Sequence, residues 1–388
     1  MKCDKKIIYF GNTCYPDKDA SAHRTIGNGK ALRELGYEVV FIGCRKGERR
    51  HLFDTKEEFC GFDIYYYDEP QTASQWSDYL FGLIPLKELL THYQASSVIL
   101  YNHPSISTKR IISFCHNNGI RVYADCTEWY DPKGFSVHTA IKKADTWYRM
   151  KHVNKHLDGI ITISSYLQDY YINNGCKTIC VPPLIDLSDK KWKRASIQTF
   201  HHDEDKEIKL IYVGNPGAGT KDKLAFIIEA LHRVRNEYPE ILFRLDIIGM
   251  NEEQFKEVFK MDPISYSFVR IHGRKPNLEA LEFIKRSDYT IFLRDNNLIC
   301  TAGFPTKFSE SIACGTPVLT NLSSDLGKYL KDGRNGYVLD MSTYNALTET
   351  LALALSTPAS KRKMMKDYCA EERTFDYHSF IDEFKKMF

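Results

Sequence analysis

Two runs of alternating strands and helices constrain this chain more than any other feature. The first opens with "KIIYFGN" (6–12), then a loop "TCYPDKDASAHRT" and a helical stretch through "GKALRELGY", closed by Gly36. It continues in β-branched runs at "EVVFIGC" (38–44), "SVILYN" (97–102), "RVYADC" (121–126) and "GIITIS" (159–164). Apolar runs of this length, separated by helix-period segments, predict a parallel sheet covered on both faces. The pattern restarts at "IKLIYVGN" (208–215), followed by a helix over "KDKLAFIIEALHRVRNEY" (221–238). Further strands are expected at "LFRLDIIG" (242–249), "SFVRIHG" (267–273), "YTIFLRD" (289–295) and "PVLTN" (317–321). From Asp189 to Glu207 the text is charged and aperiodic, which marks a linker or exposed excursion.

The expected fold class is therefore α/β, with two Rossmann-like domains in tandem. The boundaries read as 1–186, a linker at 187–206, and 207–373. An amphipathic segment at 374–388 has no strand after it and is placed to pack back on the first domain. His51 to Tyr93 is aromatic-rich and does not resolve into elements. In open α/β sheets ligands bind beyond the carboxyl ends of the strands, so a cleft between two facing domains is the expected site.

Composition removes several classes of function. A formal charge of +3 over 388 residues gives no whole-chain attraction to nucleic acid. Eleven cysteines include no CxxC pair, and Cys176 and Cys180 do not match common zinc spacing. They read as reduced thiols of a cytoplasmic protein. The start "MKCDKKIIYFGN" lacks the apolar core of a signal peptide, and no apolar run approaches the ~20 residues of a membrane span.

The most informative short stretch is "GFPTKFSESIACGTPVLTN", Gly303 to Asn321. Pro305 to Cys314 predicts a short helix stopped by Gly315 and Pro317. Lys307 then falls in the first turn, facing the positive end of the helix dipole, at a cost of a few tenths of a kcal/mol. A bound anion at the helix tip would make it favourable; the alternative is a solvated first turn. Lys221, at the start of the helix after "GNPGAGTK", repeats the argument. Arg294, just past a strand, suits bidentate phosphate recognition, or else pairs with Asp295. Glu310 can accept from two ribose hydroxyls, or pair with Lys307 at i,i+3. After Gly273, backbone amides and Arg274 are placed to meet a planar base. GxGxxG and GxxxxGK[ST] are both absent, which leaves hydride transfer and P-loop hydrolysis without support.

These segments also carry a family resemblance. "SES-IACGTPV" after a "YTIFLRD" strand, "IYVGN…K…AL", "DGIITISSYLQDYYINNG…VPPLID" and "AHRTIGNGKALRELGYEVV" resemble the family 4 retaining glycosyltransferases, of GT-B fold. The resemblance spans most of the chain and is weak at 51–93 and in the linker. It implies transfer of a sugar from a UDP- or GDP-linked donor with retention, with no metal and no cofactor. It implies that Glu310 holds the ribose and that Lys221, with Arg294 and Lys307, neutralises the diphosphate. Gly303, Phe304, Asn215, Gly273, Arg274 and Arg24 are the remaining donor-side positions. Glu128, in "DCTEWY", matches the family's Asp-x-x-Asp-x-Trp variant. His103 and Asp125 lie at strand ends on the acceptor side. In the family a leaving-phosphate oxygen takes the acceptor's proton.

Three positions depart from the pattern. The first glutamate of the Glu-x7-Glu motif falls on Ala302, the arginine before the diphosphate lysine on Asn215, and a strand-loop histidine on Thr127. The expected activity is hexosyl or N-acetylhexosaminyl transfer to a glycan or lipid-linked acceptor in surface polysaccharide synthesis. A sugar-nucleotide epimerase and a degenerate nucleotide-sugar-binding scaffold are the rivals. The basic stretch "HTAIKKADTWYRMKHVNKHL" (138–157) reads either as a helix covering the sheet or as a peripheral contact at the inner face of the plasma membrane.

Overall fold

A computed structural model describes residues 5–16, 19–45, 51–130, 136–192, 207–214 and 221–388. The chain forms two compact units. The first contains residues 1–184, 301–304 and 376–388; the second contains 185–300 and 305–375.

The first unit is built on β1 (Lys6–Gly11), β2 (Glu38–Arg45), β3 (Glu57–Phe59), β4 (Phe62–Asp68), β5 (Ser97–Tyr101), β6 (Arg121–Cys126), β7 (Gly159–Thr162) and β8 (Thr178–Cys180). They form one sheet in the order β3-β4-β2-β1-β5-β6-β7-β8, parallel except for the β3–β4 pair. Its helices are α1 (Ala20–Glu34), α2 (Ala73–Phe81), α3 (Ile84–Tyr93), α4 (Ser105–Asn117), α5 (Val137–Tyr148) and α6 (Ser165–Ile172). The period of two along each strand divides the core. Ile7, Tyr9, Val39 and Phe41 face α1, whereas Ile8, Phe10, Val40 and Ile42 pack with Leu86, Leu89 and Ile111 of α3 and α4. The aromatic stretch that resisted assignment contains β3, β4, α2 and α3. Tyr65, Tyr66 and Tyr67 lie on β4, between the edge strand β3 and β2, and Tyr65 and Tyr66 are buried. Phe384 and Met387 of the C-terminal segment join the α1 face of this core, and the Tyr37 hydroxyl donates to the Phe388 carbonyl at 3.1 Å.

The second unit contains β9 (Ile208–Val213), β10 (Phe243–Ile248), β11 (Val269–Ile271), β12 (Tyr289–Ile291), β13 (Val318–Thr320) and β14 (Gly336–Val338). All six are parallel, in the order β11-β10-β9-β12-β13-β14. Its helices are α7 (Leu224–Glu237), α8 (Glu252–Phe259), α9 (Asn277–Arg286), α11 (Thr306–Ala313), α12 (Leu326–Tyr329), α13 (Tyr344–Leu355) and α14 (Ala359–Glu371), while α10 (Leu298–Ala302) starts in this unit and its last two residues belong to the first. The fold is thus α/β with two parallel-sheet units, as the alternating sequence requires. Strand order reverses beside β1 in the first unit and beside β9 in the second, so β1/β5 and β9/β12 are the switch points. Among the described residues no helix is long and apolar enough to cross a membrane.

Candidate active site

The lysine in the first turn of α11 does have an anion beside it, and that anion belongs to the chain. Lys307 Nζ donates to Asp222 Oδ2, and Arg294 Nε donates to Asp222 Oδ1 at 3.1 Å. The Tyr212 hydroxyl of β9 donates to the same carboxylate at 2.8 Å. Asp222 immediately precedes the α7 region and makes a backbone bridge to Arg294, which fixes one partner. The Asn321 side chain fixes the other end of that loop. Its Oδ1 accepts from the Arg294 amide and its Nδ2 donates to the Arg294 carbonyl, both at 2.9 Å. Lys307 lies over the Tyr212 ring, 4.2 Å from its centroid. Gly214, at φ +141°, leaves room for it, since an added Cβ would stand 3.1 Å from the ammonium.

These groups are shielded: the side chains of Asp222, Arg294 and Lys307 are 6%, 11% and 13% exposed. Their protonation shows which charge is in excess. Burial alone would raise the Asp222 carboxyl, but Lys307 and Arg294 bring it down to about 2. Lys307 is also lowered, because burial and the Arg294 charge together outweigh the single carboxylate it shares. One carboxylate is in direct contact with two cations, with Glu310 acting on Lys307 from one turn away, and such a cation-rich, low-dielectric setting attracts an anion. Lys221, exposed and one residue before Asp222, adds to that field.

The two serines of "SES" explain how Glu310 is presented. Ser309 and Ser311 are fully buried, and Ser311 Oγ donates to Thr290 Oγ1 at 2.8 Å, tying α11 to β12. Glu310 between them is half-buried, one turn from Lys307 on the same helix. Gly273 takes φ +70° at the end of β11, its carbonyl accepts from the Gly249 amide at 2.9 Å, and Arg274 beyond it is exposed. Gly303 and Phe304 are buried in the first unit, as is Ala302, whose carbonyl accepts from Ser164 Oγ at 2.7 Å. Asn215 lies outside the described residues.

Three first-unit expectations are corrected by burial. Arg24 is only 2% exposed; Nε and Nη2 engage Asp125, and Nη1 donates to the Val181 carbonyl at 2.9 Å. No donor atom is left pointing toward a nucleotide. Asp125 is fully buried and accepts from Arg24, Tyr9 and Asn28, so it holds β1, α1 and β6 together instead of orienting an acceptor. His103 is buried, with Nε2 on Ser107 at 2.8 Å, and burial followed by the nearby Arg149 charge lowers its pKa to about 3. It is a neutral core imidazole. Glu128 is half-buried, two residues beyond β6. The bland reading of Arg294 also fails: Asp295 pairs with Lys223 at 2.9 Å.

Sequence reasoning missed Asp222, Tyr212 and Asn321. Asp222 is hidden between Lys221 and Lys223, where a charged run reads as solvated. The usable signal was that two cations placed at strand ends of one sheet require an acid between them if they are buried.

Residues 194–372 match the family model described as glycosyl transferases group 1. The matched residues include the whole Asp222 cluster, Glu310 and Gly273. The fold of the chain resembles sucrose-phosphate synthase from Thermosynechococcus elongatus, with TM-score 0.72 and 13% identity over 98% of each chain. It also resembles Anabaena HepE in complex with UDP and glucose, with TM-score 0.66 and 13% identity over 98% of each chain. WaaG, a glycosyltransferase involved in lipopolysaccharide biosynthesis, gives TM-score 0.65 and 13% identity over 97% of this chain and 98% of its own. These likenesses show the GT-B fold. No curated protein matches the chain in sequence.

Proposed function

We propose that the chain is a retaining, metal-independent glycosyltransferase that moves a hexose or N-acetylhexosamine from a UDP- or GDP-linked donor. The acceptor in this reading is a glycan or lipid-linked sugar of surface polysaccharide synthesis, built on the cytoplasmic side. The observation that carries it is the cation excess of the Asp222–Arg294–Lys307 cluster at the β9/β12 switch point. A departing nucleoside diphosphate develops negative charge as the bond from its oxygen to the anomeric carbon breaks. Pre-organised cations aimed at that oxygen are each worth ~3 kcal/mol in the transition state. Lys307, Arg294 and Lys221 take that role, and Asp222 holds the first two in place. Glu310 accepts from the ribose hydroxyls, and the turn at Gly273–Arg274 receives the base. The acceptor oxygen attacks the face that the diphosphate leaves, and its proton passes to the departing phosphate. Glu128 orients the acceptor. HepE, similar in fold, has been seen with UDP and glucose, which supports a UDP-linked donor.

Ala302 favours a second reading. It stands, fully buried, where the family has its first motif glutamate, and a donor sugar loses that contact. A nucleotide-sugar-binding scaffold would share this feature. The deciding experiment follows release of UDP or GDP from a panel of linked hexoses and N-acetylhexosamines, with and without glycan acceptors and with chelator present. Acceptor-dependent release, with the donor's anomeric configuration kept in the product by NMR, supports the transferase. Binding of UDP without turnover of any donor supports the scaffold, and inversion or a metal requirement contradicts the stated mechanism.

A further inference from the structure

The apolar stripe of α5 is on its wet side. Val137, Ala140, Ile141, Ala144 and Trp147 recur at the spacing of one helical face, and all five are exposed. Val137, Ile141 and Trp147 are 77%, 64% and 53% exposed. A helix that covered a sheet would bury this face. Here the inward residues are instead Thr146 and, just beyond the helix, Arg149 and Met150. The adjacent helices extend the pattern. α2 and α5 both pack on α4, and Trp76 and Phe81 of α2 and Ile106 of α4 are exposed. Lys109 of α4 reaches the Tyr148 hydroxyl at 3.5 Å, which joins the two helices at a basic position.

The charge around this stripe is mostly positive. Lys142, Lys143, Lys151 and Lys155 are exposed, as are Lys109 and Arg110. Asp145 is the only acid between 136 and 157, and its Oδ1 accepts from both the amide and the hydroxyl of Ser105. A protein interface of ordinary kind tends to be depleted in lysine. Exposed tryptophan and aliphatic side chains ringed by lysine fit the boundary between acyl chains and anionic headgroups.

We infer that α5, flanked by α2 and α4, is a docking surface for an anionic lipid membrane, on which the first unit rests with Val137, Ile141 and Trp147 inserted and the lysines on headgroup phosphates. The inference stands on the first unit alone and does not depend on the transferase reading.

The test uses the full chain with vesicles of phosphatidylcholine, with and without phosphatidylglycerol, in flotation assays at low and high salt. The expected result is flotation with the anionic vesicles, weakened in high salt. Ile141→Ser is expected to reduce partitioning about tenfold, as loss of one buried aliphatic side chain requires. Lys142→Glu and Lys143→Glu should each reduce it by at least about fivefold. Circular dichroism confirms that the variants stay folded, which an exposed position permits. Failure of the wild type to float with anionic vesicles at low salt overturns the inference. So does flotation that all three variants leave unchanged. Self-association in ultracentrifugation that Ile141→Ser abolishes, without vesicle binding, would assign the stripe to a second copy of the chain and also overturn it.

Discussion

Each unit carries a tyrosine from its first strand, an aspartate and an arginine joined at the carboxyl ends of its strands, yet the two clusters do different work. In the first, Asp125 receives Tyr9, Asn28 and a bidentate Arg24, and one acid meets one cation in full burial. In the second, Asp222 receives Tyr212, Arg294 and Lys307, and one acid meets two cations that keep an edge open to solvent. The first is balanced and holds strands and helix together. The second has two cations in direct contact with one carboxylate, an arrangement that an anion can complete. The same chemistry becomes structure or site according to whether each carboxylate meets one cation in direct contact or two.

The largest expected effect breaks the balanced cluster. Asp125→Ala leaves Arg24 buried without its carboxylate and should cost about 3–5 kcal/mol in urea denaturation. Nucleotides should restore none of it, because no ligand reaches that position. Asp222→Asn is expected to cost somewhat less, since its cations keep partial access to water. Here UDP should restore more stability than it adds to the wild type, because two unshared cations then face the diphosphate. Equal stabilisation by UDP of the wild type and Asp222→Asn would contradict the cation-excess account.

The pH dependence follows from the same cluster. The folded Asp222 pKa of about 2 lies below the unfolded value of roughly 4, so its stabilisation is complete above pH ~4. It is lost as the pH falls from there through about 2. The difference in urea midpoint between wild type and Asp222→Asn should therefore narrow over that interval and stay constant above it. The smallest effect belongs to Lys223→Ala. Its pair with Asp295 is 39% and 35% exposed, and its loss should change stability by less than about 1 kcal/mol. A larger change would mean that Lys223 belongs to the cluster.

The two sheets were legible from the amino-acid sequence, but the buried clusters at their strand ends were not. The strand-and-helix alternation predicts both sheets, because a parallel sheet demands continuous apolar runs and crossover helices. The β3–β4 hairpin was obscured by tyrosines, which serve equally on a half-buried strand and on a helix. Lys307 stood out because a first-turn cation needs an explanation. Asp222 did not, because an acid between two lysines is unremarkable until the fold turns it inward. Arg24, Asp125 and His103 show the reverse error. Strand-end position marks where ligands bind, but the same ends also need buried pairs to anchor the neighbouring helix, and sequence spacing does not separate the two.

The central claim is that the cation-rich second cluster holds the diphosphate of the donor. Calorimetric titration of UDP and of uridine into wild type and Lys307→Ala measures it directly. The account predicts that UDP affinity falls by about two orders of magnitude in the variant, matching loss of ~3 kcal/mol of charge stabilisation, while uridine affinity changes little. UDP binding unchanged by the substitution, or lost in parallel with uridine, would contradict it.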